Sequence, residues 1–151
     1  QMRAALQPLG GNYTTAASFG NVHGLAKAGE VKLKPEILAD LLPEARSDAH
    51  FKGFVFHGGS GSSQAEISLA VANGVVKMNL DTECQLEYSR PVFEHVLKTH
   101  AEVLNVAVPN KKHFDPRGWG AKAVESMAAR VAQACRDMGS AGKAQAQERA
   151  A

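Results

Sequence analysis

Cysteine and long apolar runs are both scarce in this sequence. The 151-residue chain has two cysteines, Cys84 and Cys135, and their wide separation excludes a CxxC zinc motif and a disulfide-stabilised secreted scaffold. No apolar segment approaches the roughly 20 residues that a membrane span needs, and no signal peptide is evident. We therefore expect reduced cysteines, with Cys135 on a core face, in a cytoplasmic protein that has no membrane partner.

An excess of charge of one sign is also lacking. The formal net charge is +2, with 17 Lys and Arg against 15 Asp and Glu. This balance gives no broad basic field, so nucleic acid is not an expected partner. The hydrophobic content of 44% suits one ordinary core. We therefore predict one domain over residues 1–141, followed by a small, polar, disordered tail at residues 142–151.

A glycine-rich segment, Phe54–Ser63, is the most informative stretch that is present, and it reads FVFHGGSGSS. Its apolar beginning predicts a buried strand that ends just before His57. Gly58 and Gly59 remove side chains that would keep a ligand from the backbone, and Ser60 adds a hydroxyl donor. Because a helix is predicted directly afterwards, the composition is typical of a site that holds phosphate with loop amides and a helix N-terminus.

Strand and helix patterns alternate along the first two thirds of the chain. After a helix that ends at Gly10, three units are predicted, with strands at residues 14–20, 53–56 and 75–82 and helices at about residues 34–43, 63–73 and 83–104. Ser63 and Glu66 match a capping box for the second helix. Such units with polar residues after each strand predict a parallel α/β protein with its site at the carboxyl edge of the sheet.

The last third of the chain predicts a loop over residues 105–114 and one more helix. Asp115 is a typical N-cap and Pro116 suits the first helical position. The helix is predicted to stop at Gly139. Apolar residues at spacings of three and four predict its packed face, which comprises Val124, Met127, Val131, Ala134, Cys135 and Met138.

Two histidines occupy equivalent places in consecutive units. His23 and His57 each follow a predicted strand and each precede a glycine. Neighbouring parallel strands lie about 4.8 Å apart, so the two imidazoles can converge on one metal ion. The alternative is that each is an ordinary structural histidine, as we expect for His50, His95, His100 and His113.

The third predicted strand also ends in polar residues. Asn79 and Asp81 are two residues apart, which on a strand places them on one face. An amide can hold a hydroxyl or enolate oxygen and a carboxylate can orient a hydroxyl, whereas strand-end capping is the simpler explanation. Thr82 and Ser60 are both able to donate to a phosphate.

Four motifs in this order resemble class II, zinc-dependent fructose-bisphosphate aldolase. They are Gly20-Asn-Val-His-Gly24, the FVFHGGSGS run from Phe54, Gly74-Val-Val-Lys-Met-Asn-Leu-Asp-Thr82, and Asp115-Pro-Arg117. The resemblance covers nearly the whole chain but only the carboxyl-terminal portion of that enzyme, whose barrel is roughly twice as long. It implies the carboxyl-terminal part of a (β/α)8 TIM barrel, with about three parallel strands and their helices.

The resemblance also implies roles for individual residues. His23 and His57 correspond to two of the family's three zinc ligands, and Gly24 and Gly58 correspond to positions that bind a monovalent cation, Na+ or K+. Arg117 corresponds to an arginine that reaches the far phosphate from a neighbouring subunit. The implied substrate-binding residues are Gly24, Gly58, Gly59, Ser60, Asn79, Leu80, Asp81, Thr82 and Arg117.

The implied activity is that of a lyase of glycolysis and gluconeogenesis. It cleaves fructose 1,6-bisphosphate reversibly to dihydroxyacetone phosphate and glyceraldehyde 3-phosphate, and the implied assembly is a homodimer or a higher homo-oligomer. The family's proton-transfer residues belong to upstream segments, so this chain is expected to carry no catalytic residue and to be inactive alone. The alternatives are a tagatose-bisphosphate aldolase and a non-catalytic phosphate-binding half-barrel.

Overall fold

The structure of the protein, a computed structural model, describes residues 2–21, 33–105, 107 and 110–143. It divides into two compact units, Gln1–Leu80 and Asp81–Ala151. Most of the predicted tail, residues 144–151, lies outside the described residues, and the domain boundary at residue 141 stays a prediction. None of the helices in the described ranges is long and apolar enough to cross a membrane.

The first unit contains a parallel sheet of three strands in the order β1-β2-β3. The strands are β1 (Tyr13–Thr15), β2 (Phe51–Phe56) and β3 (Val75–Met78). The predicted parallel α/β arrangement is confirmed. The strand lengths were less well predicted, because β1 ends five residues before Gly20 and β3 ends four residues before Thr82.

The helices of this unit are α1 (Met2–Leu6), followed by a 3-10 turn at Gln7–Leu9, then α2 (Glu36–Arg46) and α3 (Gln64–Ala72). As predicted, the helical segment at the beginning of the chain ends at Gly10, which has a φ of +63°. The prediction that α2 ends at Pro43 was wrong, since the helix continues to Arg46. Proline removes one hydrogen-bond donor from a helix, and the buried Leu38 anchors α2 against the core.

Helix α3 begins with the predicted capping box. The Ser63 Oγ accepts from the Glu66 N–H at 3.3 Å, and the Ser63 N–H donates to the Glu66 carboxylate at 2.8 Å. The helix ends at Ala72, Asn73 is its C-cap, and Gly74 follows with a φ of +95°. This reciprocal cap fixes where the glycine-rich loop stops and the helix starts.

The core of the first unit lies against β2. Phe19 and Phe56 are fully buried, and their ring centroids are 4.8 Å apart in an edge-to-face arrangement. The buried cluster consists of Phe19, Leu38, Phe54, Phe56, Ala70 and Val75. Because Phe56 is the last residue of β2, the same packing that stabilises the sheet fixes the position of the residue that follows it.

The second unit is helical, with α4 (Thr82–Val103), α5 (Lys111–Phe114) and α6 (Pro116–Asp137). Asp115 caps α6 through the Arg117 N–H at 3.0 Å, as predicted. The predicted loop over residues 105–114 was wrong at its end, where α5 forms. The Asn110 side chain accepts from the Lys112 N–H at 3.1 Å and so starts that short helix.

The predicted packed face of α6 was also wrong in part. Val124 is 59% exposed and Val131 is 45% exposed, Cys135 is exposed rather than on a core face, and Ala123 is buried instead. Helices α4 and α6 pack together, and polar pairs link them. One such pair is the Ser126 hydroxyl with the Glu87 carboxylate.

Candidate functional site

The end of β2 carries His57 to the carboxyl edge of the sheet. In the β2–β3 pairing Phe56 lies opposite Met78, so the next residues, His57 and Asn79, leave the sheet at the same level. The Asn79 N–H donates to the Phe56 carbonyl at 2.9 Å, which extends the ladder by one bond. The side-chain amide nitrogen of Asn79 lies 2.9 Å from His57 Nδ1. The structure therefore brings together these two predicted site residues.

The backbone of His57 is held by a second asparagine. The Asn21 Nδ2 donates to the His57 carbonyl at 2.9 Å, and the Asn21 Oδ1 accepts from the Phe19 N–H at 3.0 Å. No role was predicted for Asn21, although it belongs to the first of the four motifs. An amide next to the polar end of a predicted strand was the signal that could have identified it.

A pocket of about 380 Å³ adjoins His57. Its lining consists of Ala16, Ala17, Ser18, Asn21 and His57. Three of these residues have small side chains and come from the segment after β1, so they leave room beside the histidine. The pocket therefore lies at the carboxyl edge of β1 and β2, where the sequence placed the site.

The glycine-rich loop packs closely on β3. Gly58 has a φ of +65°, which favours glycine, and Gly59 is buried. A Cβ atom on Gly59 would collide with the Met78 side chain and lie 3.0 Å from its Cγ. A side chain at this position would therefore require the flexible Met78 side chain to move, whatever the loop binds. The Ser62 N–H donates to the Gly59 carbonyl at 3.2 Å and closes the turn before α3.

The N-terminus of α3 already has one negative charge beside it. The Glu66 carboxylate accepts from the Ser63 hydroxyl at 2.7 Å as well as from the Ser63 N–H. Both donors of Ser63 are thus used inside the cap. An anion near this loop would depend on the preceding segment, which includes Gly58, Gly59 and the half-buried Ser60.

The residues after Asn79 do not continue the strand. The prediction that Asn79 and Asp81 share a strand face was wrong, because β3 ends at Met78 and Asp81 has a backbone of φ −116° and ψ −59° at the start of α4. Both Asp81 carboxylate oxygens accept from the Gln85 Nε2 at 3.0 Å. Leu80 ends the first unit, and Thr82 is the first residue of α4.

Arg117 lies in the first turn of α6 and is 81% exposed. Its guanidinium donates to both carboxylate oxygens of Asp115, at 3.0 Å from Nε and 2.6 Å from Nη2. These side-chain hydrogen bonds, followed by the bond from the Arg117 N–H, lower the pKa of Asp115, and the same pairing raises the pKa of Arg117. This pairing uses the Nε and Nη2 atoms, and a guanidinium has further N–H donors that can bind a phosphate.

His23 and Gly24 lie outside the described residues, so their predicted roles stay predictions. Within residues 2–21, 33–105, 107 and 110–143, no group of three or more His, Cys, Asp and Glu residues is placed to hold a metal ion. As placed, the Asn79 amide nitrogen can only donate to His57 Nδ1, whereas a metal bound at Nε2 requires Nδ1 to donate. The opposite amide orientation, with Asn79 Oδ1 towards Nδ1, would meet that requirement. Metal-binding histidines commonly make a hydrogen bond through one ring nitrogen, and this bond fixes the orientation of the ring.

A second pocket, of about 330 Å³, lies in the helical unit. His95 Nε2 lies 2.6 Å from the His113 carbonyl, and His113 Nδ1 lies 2.6 Å from the Glu102 carboxylate. Both histidines line this largely apolar pocket beside Phe114 and Trp119. Their contacts link α4 to α5, which agrees with the packing role expected for them.

Comparisons with known proteins match almost the whole chain. Residues 1–143 match the family model described as fructose-bisphosphate aldolase class-II. The chain is 50% identical over 141 residues to the fructose-bisphosphate aldolase of Streptomyces coelicolor, a match that covers 88% of this chain and 41% of that protein. It is 48% identical over 141 residues to that of Mycobacterium tuberculosis, with the same coverage of 88% and 41%. The chain thus spans about two fifths of the length of these curated relatives.

Solved structures show the same partial match. The crystal structure of the fructose-bisphosphate aldolase from Campylobacter jejuni aligns with a TM-score of 0.66 at 41% identity, covering 83% of this chain and 39% of that one. The YdjI aldolase from Escherichia coli aligns with a TM-score of 0.62 at 21% identity, covering 93% of this chain and 44% of that one. The second likeness concerns the fold alone.

Proposed function

Because this chain belongs to the class II fructose-bisphosphate aldolase family, we propose that it supplies part of the site of a lyase that reversibly cleaves fructose 1,6-bisphosphate. Its fold is part of a TIM barrel, with three parallel strands and their helices. The observation that carries the proposal is the contact between Asn79 and His57, the residue that directly precedes the glycine-rich loop. TIM-barrel enzymes have their active sites at this carboxyl edge of the sheet.

The loop supplies the substrate's anion site. Backbone N–H groups in glycine-rich turns bind phosphate because they can approach it closely and point towards it. Gly58, Gly59 and Ser60 supply these groups, because the Ser63 donors at the N-terminus of α3 are already bound to the Glu66 carboxylate. The closeness of His57 to this segment suits a substrate with a ketone near its phosphate group. The products are dihydroxyacetone phosphate and glyceraldehyde 3-phosphate.

The residues at the strand ends orient the rest of the substrate. We assign Asn79 to a substrate hydroxyl or enediolate oxygen, because its amide lies beside His57, which lines the pocket. His57, with His23, is assigned to zinc. When bound, zinc supplies a Lewis acid that polarises the ketone. The further substrate-binding assignments are Gly24, Leu80, Asp81, Thr82 and Arg117.

Several finer parts of the proposal follow from the family. A monovalent cation, Na+ or K+, is assigned to carbonyl oxygens at Gly24 and Gly58. The complete enzyme is proposed to act in the cytoplasm, in glycolysis and gluconeogenesis. Its proposed assembly is a homodimer or a higher homo-oligomer. The proton-transfer residues are assigned to segments that this chain does not contain, so the chain alone is expected to be inactive.

A chimeric enzyme tests the function directly. Residues 1–143 would replace the matching segment of the Streptomyces coelicolor relative, and cleavage of fructose 1,6-bisphosphate would be measured with a coupled assay. We expect an active chimera in which His57→Ala lowers kcat/KM by about 100-fold or more, because loss of a residue that only orients a metal ligand already costs about 10- to 100-fold and His57 is assigned as a ligand itself. His50→Ala is the matched control, because His50 is exposed and lies at the other end of β2.

The outcomes separate the candidate functions. Equal activity of the His57→Ala and His50→Ala chimeras would refute the assigned role of His57. A chimera that cleaves tagatose bisphosphate in preference to fructose bisphosphate would change the substrate but keep the reaction. A folded chimera with no cleavage of either sugar, together with phosphate binding by the 151-residue chain that a chelator does not affect, would support the non-catalytic phosphate-binding module.

A further inference from the structure

The segment after β1 and the end of β2 are joined by one side chain. The described pairing of these strands ends at Thr15 opposite Phe54, three residues before His57. Beyond that point, Asn21 donates from Nδ2 to the His57 carbonyl at 2.9 Å. This hydrogen bond spans 36 residues of sequence and lies at the level of the pocket rather than within the sheet.

Asn21 uses both ends of its amide. Its Oδ1 accepts from the Phe19 N–H at 3.0 Å, and Phe19 is fully buried against Phe56. The side chain is therefore anchored in its own segment by one hydrogen bond, while the opposite group reaches His57. Only an amide of this length offers an acceptor and a donor in that arrangement, since a carboxylate has no N–H and serine has one oxygen.

His57 is consequently restrained at two places. Asn21 fixes the plane of the peptide group that joins His57 to Gly58, because it binds the carbonyl of that group. Asn79 fixes the imidazole, because its amide nitrogen lies 2.9 Å from Nδ1. A side chain held at both its backbone and its ring has little freedom to turn out of the pocket.

We propose that Asn21 is a positioning residue, which sets the direction of the His57–Gly58 peptide and thereby aligns the His57 ring with the first amide of the glycine-rich loop. This inference rests on the proposed function, because the groups it aligns are those assigned to metal and phosphate. Asn21 itself acts through His57.

Asn21→Asp tests this role with a change of one group. The carboxylate keeps the acceptor for the Phe19 N–H but faces the His57 carbonyl with an oxygen in place of the donor. Asn73→Asp is the matched control, because the Asn73 Nδ2 also donates to a distant main-chain carbonyl, that of Pro35, at 2.9 Å. Asp at the end of α3 also opposes the helix dipole, so the control loses at least a comparable interaction.

The first measurement is nuclear magnetic resonance of the labelled 151-residue chain. We expect Asn21→Asp to shift the Gly58 amide and the His57 ring signals, and Asn73→Asp to leave both at their wild-type positions while lowering the melting temperature to a similar extent. Equal changes at these signals in the two variants would overturn the positioning role, because they would show only a general loss of stability.

The second measurement is titration with Co2+, a spectroscopic substitute for zinc. We expect Asn21→Ser, which unlike Asn21→Asp brings no negative charge towards the cation, to weaken Co2+ binding about tenfold relative to the wild-type chain, within the range typical of residues that orient a metal ligand. A wild-type chain that binds no Co2+ would count against the proposed metal site, while the resonance shifts would still decide the role of Asn21. If Asn21→Asp does not fold, Asn21→Ser replaces it, and wild-type Gly58 and His57 signals in that variant would contradict the proposal.

Discussion

The two compact units of this chain are stabilised in different ways. The first unit buries a cluster that includes two fully buried phenylalanines beside the candidate site. In the second unit, Cys84 and Ala123 are the only buried residues within the described positions from 81 on. Larger side chains such as Phe93 and Leu97 remain 67% and 73% exposed. Apolar packing therefore dominates the unit that contains His57, whereas polar pairs contribute a larger share in the helical unit.

The polar pairs of the second unit are correspondingly well formed. Arg130 donates to the Glu83 carboxylate through Nε and Nη2, and both side chains are about four fifths buried. Ser126 donates to Glu87 at 2.9 Å. Pairs that are partly shielded from solvent are stronger than exposed ones but lose more when one partner is removed. The contrast predicts that the two units respond differently to salt and to truncation of a phenylalanine.

The largest expected effect is that of Phe56→Ala. Removal of a fully buried ring costs about 3–5 kcal/mol through lost burial and the cavity that remains. We expect Phe93→Ala, the control in the second unit, to change stability by no more than about 0.5 kcal/mol. Amide hydrogen exchange would measure each unit separately. Equal costs for the two substitutions would remove the contrast between the units.

The next effect concerns the pair between α4 and α6. Arg130→Met keeps an apolar side chain of similar length but removes the guanidinium from Glu83, and we expect the second unit to lose about 1–3 kcal/mol. Arg90→Met is the control, because Arg90 is 53% exposed and pairs with Glu87 at 3.1 Å on the same helix. Urea denaturation at low and high salt would measure both. A larger loss for Arg90→Met would show that burial does not determine the strength of these pairs.

A smaller effect is expected at the cap of α3. Ser63→Ala removes the side chain that accepts from the Glu66 N–H, and loss of such a cap typically costs about 1 kcal/mol. Ser68→Ala, an exposed position inside the same helix, should be neutral or slightly stabilising because alanine favours helices. Thermal denaturation would compare the two variants. Similar melting temperatures for both would mean that packing alone fixes the start of α3.

The smallest effect is expected at the exposed pair of Asp115 and Arg117. Hydrogen bonds from Arg117 hold the pKa of Asp115 below its usual value of 3.8. The contribution of this pair is therefore complete above that value and is lost as the pH falls through the lower pKa of the folded state. In Arg117→Gln, we expect the carboxyl signal of Asp115 to titrate closer to 3.8. An unchanged titration would show that the guanidinium is not the cause.

Much of the first unit could be predicted from local sequence chemistry. The capping box at Ser63, the glycine at 74 and the apolar residues of β2 each determine structure within a few residues, so the parallel strand–helix units and the helix starts were largely correct. The end of β3 could not be predicted in this way. Polar residues such as Asn79 and Asp81 are compatible with a continued strand, because they fit its alternating pattern. They are equally compatible with the segment that leads into a helix.

The errors in the second unit have a different cause. Val124 and Val131 recur at helical spacing, and this spacing identifies one face of α6 but not the partner of that face. In the structure the buried residue of α6 is Ala123, and the contact of Arg130 with Glu83 links α6 to α4. At the site, the end of β2 and hence the place of His57 were predictable, but its contact with Asn79 depends on where β3 ends. The hydrogen bond from Asn21 depends on a loop conformation that no local pattern specifies.

The register of β2 against β3 has a consequence for ligand affinity. Because Phe56 lies opposite Met78, folding of the sheet already places the His57 ring beside the Asn79 amide. Ordering a flexible side chain on binding costs about 0.5–1.5 kcal/mol. For His57 and Asn79 this cost in side-chain entropy is met when the sheet forms, before any ligand binds. A larger fraction of the interaction energy is therefore retained as affinity.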